Sequence, residues 1–205
     1  MAHLSCWHFT ELPSEMIDIA TRDLKRYDDE ISESVLRGDT INKNIRNSKN
    51  SWISTDHWIG GWIWYYIQKI NRSNFMYDII DIDGGKIQYT EYGEGEYYHW
   101  HTDDDITRLN VADAEPSSAK NYAEDNNLID GEYVRKLSFS LQLSDPKDYV
   151  GGELQFLGAG DVTFFAPKQR GSLVVFDSRT KHRVVKVKSG IRKSLVGWVV
   201  GPRWK

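Results

Sequence analysis

The sequence predicts an α+β fold in which a sandwich or jelly roll of short strands carries the chemistry. Three observations lead there. Apolar residues recur at helical spacing only in the first third of the chain, strand-like alternation takes over after Asn74, and turn-forming clusters punctuate the remainder. Helices first and many short strands afterwards is the order of an α+β domain, not of alternating βαβ units.

Residues 13–27 read as a helix opening at Pro13, with Ile17, Ala20, Leu24 and Tyr27 on one face. Residues 28–50, polar and irregular around Gly38 and Asp39, read as loop. A second helix starts at Thr55 or Asp56, both good caps, and runs to Ile70. Ile59, Ile63, Tyr66 and Ile70 form its buried stripe, and its aromatic side chains read as core. Short strands are expected at 76–82, 86–92, 135–143, 153–156, 161–166, 172–176, 182–188 and 192–200. Asp83-Gly84-Gly85, Asp145-Pro146, Gly151-Gly152, Arg170-Gly171 and Ser189-Gly190 are among the turns between them. Residues 104–132, rich in Asp, Asn, Ala and Ser, form the exception. Patternless stretches longer than about 15 residues are lids, binding loops or disorder, and this one reads as a lid or as disorder. Residues 1–205 are expected to form one domain, with 1–74 as helical support and 75–205 as the strand core.

The chain has 205 residues, 40% of them hydrophobic, with a formal net charge of −4. That length can bury a full core. Mild acidity argues against a general binder of nucleic acid or membrane surface, since neither is attracted by a negative field. A single cysteine, Cys6, leaves no internal disulfide and suits a reducing compartment. No secretory leader is read in residues 1–10. The longest apolar stretch, 58–67, is about half a membrane span, so the expectation is a soluble, cytoplasmic protein.

The chemistry centres on His101-Thr102-Asp103. In an extended chain positions i and i+2 point the same way, so His101 and Asp103 can grip one ion while Thr102 faces away. Alone, the triplet is equally a surface His beside an acidic turn. A lone His182 and then Arg192 downstream change the balance. Two imidazoles and one carboxylate hold non-haem Fe(II) on one face and leave the other open. The Arg supplies a fixed cation for the far end of a dicarboxylate. Strand alternation puts Arg192, Ser194, Val196 and Trp198 on one face and Lys193, Leu195 and Gly197 on the other. A guanidinium fork beside a hydroxyl, walled by Trp, suits a carboxylate. Ser138, Ser140 and Gln142 form the polar face of another strand, lining a co-substrate pocket or facing solvent. His99 shares the face of His101 by the same alternation, and Trp100 reads as core. His3, His8 and His57 have no partner pattern and read as incidental.

Three blocks carry a resemblance. They are the lead-in from Tyr92 through Gly95 and Tyr98 to His101, the closing run from His182 through Gly190 and Arg192 to Trp198, and a middle part. The middle part holds Leu143-Ser144-Asp145-Pro146 and Tyr149-Val150-Gly151-Gly152-Glu153-Leu154. From about residue 74 to the C-terminus, the chain resembles the prolyl 4-hydroxylase-like branch of the Fe(II)/2-oxoglutarate-dependent dioxygenases. The resemblance implies a double-stranded β-helix (jelly-roll) core with N-terminal helices packed on one sheet. It implies Fe(II) held by His101, Asp103 and His182. It also implies 2-oxoglutarate with its distal carboxylate on Arg192, helped by Ser194 and Tyr92. Tyr98, His99, Gln142 and Trp198 then fall to the substrate pocket, with Tyr97 adding to an aromatic rim. In the resembled family the strand bearing Gln142 can offer an aromatic hydroxyl to 2-oxoglutarate, so Gln142 is a departure. The implied reaction consumes O2, hydroxylates a peptidyl proline in a peptide or protein substrate, releases succinate and CO2, and is supported by ascorbate.

Other readings stay open on sequence alone. A zinc hydrolase could use the same ligands but leaves Arg192 unexplained. An oxygenase of a free amino acid, small molecule or nucleobase keeps the site and changes the substrate. A jelly-roll ligand-binding protein without catalysis is the alternative outside enzymes.

Overall fold

The structure, a computed structural model, describes residues 6–34, 43, 45–104 and 133–204. In chain order the strands are β1 (Trp7–Glu11), β2 (Ser32–Glu33), β3 (Arg46–Asn47), β4 (Lys49–Ser54), β5 (Asp81–Ile82), β6 (Lys86–Tyr92), β7 (Tyr97–His101) and β8 (Tyr133–Gln142). There follow β9 (Tyr149–Val150), β10 (Leu154–Leu157), β11 (Thr163–Phe165), β12 (Ser172–Asp177), β13 (His182–Val184), β14 (Ser189–Gly190) and β15 (Arg192–Pro202). Helix α1 spans Ser14–Leu24 and α2 spans Trp58–Ile70.

An eight-stranded antiparallel sheet runs β1-β12-β8-β15-β6-β4-β2, with β5 added on β15. A five-stranded sheet runs β11-β10-β13-β7-β3, and β9 pairs with β14. Alternation sorts the larger sheet. Leu137, Phe139, Leu141, Leu195 and Val199 join Ile17 and Leu24 of α1 and Ile59, Ile63 and Ile67 of α2 in one core. Each such side chain, fully buried, contributes roughly 1.5–3 kcal/mol of transfer free energy. The opposite face carries Ser138, Ser140, Gln142, Arg192 and Ser194, all buried without helices above them. That inner face looks across at the smaller sheet, where Leu154 and Phe156 pack on Val174 and Phe176. The expected α+β jelly roll with helices on one sheet is thus present. None of the helices among the described residues is long and apolar enough to cross a membrane.

Several boundaries differ from expectation for physical reasons. Helix α1 stops at Leu24 and continues as a 3-10 turn over Lys25–Glu30, so Tyr27 packs only in part. Helix α2 begins at Trp58, because Thr55 is tied back to Gly85 and Asp56 to Ser54. His57, expected to be incidental, is its cap and accepts the Ile59 N–H on Nδ1. Ile67 rather than the half-buried Tyr66 completes the stripe. Only Asp81–Ile82 of the expected strand 76–82 pairs, since the chain leaves a π turn through Met76 at φ 53°. β1 to β4 have no counterpart among the expected strands: β1 lies at one edge of its sheet, and the others emerge from a segment whose polarity reads as loop. His3 and the expected lid, apart from Asp104, lie outside the described residues.

Candidate active site

β7 and β13 run side by side with His101 opposite His182, and the two rings converge with centroids 4.2 Å apart. Asp103 lies two residues beyond the end of β7. The Ser178 carbonyl fixes it there by accepting its N–H at 2.9 Å. Its carboxylate then reaches both rings, Oδ1 at 3.6 Å from His101 Nε2 and Oδ2 at 3.4 Å from His182 Nε2. The three candidate ligand atoms lie within 4.8 Å of one another. These separations exceed a good hydrogen bond and suit donors gathered round an ion.

The outer nitrogens are already used. His101 Nδ1 sits 2.7 Å from the His99 carbonyl and His182 Nδ1 sits 2.9 Å from the Thr180 carbonyl. A carbonyl oxygen only accepts, so each Nδ1 carries a proton and each Nε2 is the nitrogen that faces inward. Burial first, and then the neighbouring His182, push His101 down to about 3, which keeps the ring neutral. Burial works to raise Asp103. His182, His101, Arg135 and the Ser138 hydroxyl outweigh it and hold the carboxyl below its usual range. A neutral imidazole and an ionised carboxylate are the states a divalent metal requires. The donor set therefore fits Fe(II).

A bulge shapes the neighbouring wall. His182 pairs with His101 but Val184 pairs with Tyr98, so β7 advances three residues while β13 advances two. Tyr98, not His99, therefore shares the side of His101, and their rings stack with centroids 3.6 Å apart and planes 19° off parallel. The expectation for His99 is overturned: it is exposed, edge-on to Tyr97. Tyr97 likewise reaches away, its hydroxyl donating to the Lys43 carbonyl. Trp100 is half-buried under the Arg183 guanidinium, not in the core.

Arg192 opens β15 and is 3% exposed. It donates to the Ser194 hydroxyl at 3.2 Å, lies 5.7 Å above the Tyr92 ring and meets the Tyr149 hydroxyl. Among the described residues no carboxylate pairs with it. Lys193 points to the opposite face, toward Asp28 and Tyr89, as alternation requires. Gln142 and Ser140 face inward. Ser140, Gln142, Tyr149, Lys168 and Arg192 line a narrow cavity. It adjoins a cleft bordered by His101, Asp103, His182, Tyr98, Trp198 and Arg46, with Ser140, Leu154 and Arg192 common to both. A cation buried without a carboxylate partner among the described residues, bordering both that cavity and the cleft of the His-Asp-His set, fits one end of a small diacid.

Sequence reasoning missed three residues here. Tyr149 places an aromatic hydroxyl beside Arg192, and Gln142 donates to that hydroxyl at 3.0 Å. Burial raises the Tyr149 hydroxyl, with Arg192 opposing, so it stays protonated. Its signal was present in the Tyr149–Leu154 block, although its direction was not. Lys168 sits 4.3 Å above the Tyr149 ring and pairs with Glu153. Arg46 comes from the polar segment before β4, where nothing marks it.

Residues 87–200, more than half of the chain, match the model of the 2OG-Fe(II) oxygenase superfamily. A PKHD-type hydroxylase of Gloeothece citriformis is 43% identical over 76 residues, 37% of this chain and 34% of that protein. The match thus spans about a third of that relative's length. In fold, the chain is similar to a Pseudomonas putida prolyl-4-hydroxylase, with TM-score 0.66, 22% identity, and 97% and 93% of the two chains covered. It is also similar to a Trichoplax adhaerens prolyl hydroxylase in complex with a hypoxia inducible factor peptide fragment. There the TM-score is 0.69 at 16% identity, with 95% and 83% covered. With the superfamily model laid over the stretch that contains His101, Asp103, His182 and Arg192, this chain belongs to the 2OG-Fe(II) oxygenase superfamily.

Proposed function

We propose that the chain is an Fe(II)- and 2-oxoglutarate-dependent dioxygenase that hydroxylates a peptidyl proline and releases succinate and CO2. One observation carries the reading. Two imidazole Nε2 atoms and a carboxylate converge in a buried cleft whose adjoining cavity reaches Arg192, a buried guanidinium with no carboxylate partner among the described residues. The names of the relative and the fold neighbours, hydroxylases in each case, support it.

The bound iron supplies the activation of O2 that side chains cannot perform. His101, Asp103 and His182 would hold it. Arg192 would receive the distal carboxylate of 2-oxoglutarate, with the Ser194 and Tyr149 hydroxyls as further donors and Tyr92 beside the guanidinium. Ser140 and Gln142 line the path between. Tyr98, Leu154, Phe176, Val184 and Trp198 give the cleft apolar walls, which exclude water and suit a pyrrolidine ring. Ascorbate would serve as the external reductant that supports activity.

The test is incubation with Fe(II), 2-oxoglutarate, ascorbate, O2 and proline-containing peptides. The expected result is a one-oxygen mass gain with matching succinate. Succinate without any peptide oxidation transfers the substrate role to a free amino acid, small molecule or nucleobase. Absence of succinate from iron-loaded protein overturns the enzymatic reading.

A further inference from the structure

We infer that Arg46 is a specificity-determining residue of this cleft and that it receives a carboxylate of the substrate. The inference rests on the cleft being the site of a 2-oxoglutarate-dependent hydroxylase. Arg46 opens β3 beside Tyr98 of β7, is 7% exposed and borders the cleft shared by the His-Asp-His set. Its Nε donates to Ser48 at 2.9 Å and its NH2 donates to Gln88 at 3.1 Å. The guanidinium lies 5.0 Å from the centroid of the Tyr98 ring, which stacks in turn on His101. The fork is thus held in place by neutral groups. Among the described residues none of its partners is a carboxylate.

Charge makes the position informative. A divalent ion, the Asp103 carboxylate, a doubly charged 2-oxoglutarate and Arg192 cancel one another. Among the described residues that line the cleft, Arg46 is left as an unmatched positive charge, an arrangement that is costly unless an anion arrives. Trp198 also lines the cleft, and its indole Nε1 is buried without an acceptor among the described residues. Both features call for a ligand rich in acceptors and carrying one negative charge. A neutral apolar ring alone would leave them unmet. The carboxylate is either the chain end of the hydroxylated residue itself or the side chain of an adjacent acidic residue.

The experiment measures binding to protein loaded with Mn(II) and 2-oxoglutarate, by calorimetry, in two probe pairs. N-acetyl-L-proline is compared with N-acetyl-L-prolinamide, and N-acetyl-Pro-Asp-amide with N-acetyl-Pro-Asn-amide. In at least one pair the acid is expected to bind tenfold or more tightly than its uncharged analogue, and the pair that discriminates identifies the carboxylate's source. Arg46→Gln is expected to weaken that acid roughly thirtyfold or more and to erase the discrimination. Arg46→Lys, which keeps the charge and loses the fork, is expected to restore part of it, and thermal melting of both variants reports folding. Equal binding within both pairs, no binding of any probe, or discrimination that survives Arg46→Gln overturns the inference. Conversion of 2-oxoglutarate to succinate by the iron-loaded wild type tests the underlying reading separately.

Discussion

The Tyr98 ring lies flat on the His101 imidazole, with centroids 3.6 Å apart, because β7 carries one more residue than β13 between two successive pairings. Without that bulge, His99 would occupy the place of Tyr98. The ring clamps one face of His101 while the His99 carbonyl holds its Nδ1. Orientation of the metal-facing nitrogen is therefore fixed by packing and by a hydrogen bond together.

Tyr98→Ala removes the clamp and leaves the ligand. Loss of such supporting contacts costs roughly 10–100-fold in metal affinity. The expected outcome is a drop of that order in Mn(II) affinity, read by calorimetry, while Tyr98→Phe stays within about threefold of wild type. Unchanged affinity in Tyr98→Ala would show that the stack is incidental.

His182→Ala removes one of three ligands and leaves Asp103 facing a gap. Metal binding and succinate formation are both expected to disappear. Full 2-oxoglutarate turnover by this variant would contradict the assignment of the centre.

At the other end of the cavity the losses should be graded. Arg192→Ala deletes the buried cation, and losing one partner of such a pair costs about 2–5 kcal/mol, so the KM for 2-oxoglutarate should rise roughly thirtyfold or more. Tyr149→Phe deletes one neutral donor worth about 0.5–1.5 kcal/mol, a rise of at most about tenfold. Steady-state kinetics in 2-oxoglutarate checks the order, and metal affinity should hold in both variants.

Much of this site was legible in the sequence because strand alternation is a strong rule. Arg192, Ser194, Val196 and Trp198 do turn inward, and Lys193 does turn out. Where the rule fails, an irregularity is the cause. A bulge has no sequence signature in Tyr97-Tyr98-His99-Trp100, so the parity of His99 was read wrongly. Tyr149 was visible as part of a motif, but its approach to Arg192 depends on how the Gly151-Gly152 turn folds back, which is tertiary. Arg46 and the strands around it sit in a polar stretch whose pairing is decided by the partner strand, not by its own pattern.

That turn gives its own test. Gly152 has φ 69°, and a Cβ there would lie 3.1 Å from Arg192 Cδ and 3.0 Å from Val187 Cγ2. Gly152→Ala is therefore expected to cost roughly 1–2 kcal/mol from the left-handed backbone alone, and to raise the KM for 2-oxoglutarate by displacing Arg192. A variant with wild-type stability and KM in urea melts and kinetics would refute the coupling.

Acid stability should depend on a cluster behind the metal site. Asp177 accepts from Tyr77 at 2.6 Å and from Arg179 at 2.5 Å, and its turn presents the Ser178 carbonyl that fixes the Asp103 and Asp104 amides. Burial works to raise Asp177, yet the Arg179 and Tyr77 hydrogen bonds outweigh it and hold the carboxyl below its usual range. A folded value below the unfolded value of about 3.9 stabilises the fold above that pH. The contribution fades as pH falls through the folded value, because the unfolded chain takes up the proton first. Asp177→Asn should thus lose roughly 1.5–3 kcal/mol at neutral pH, the worth of charge-assisted hydrogen bonds, and the gap to wild type should narrow below about pH 4. Urea denaturation at pH 7, 5 and 3.5 measures the gap directly, and a difference that stays constant across that range would remove Asp177 as the source of the acid sensitivity.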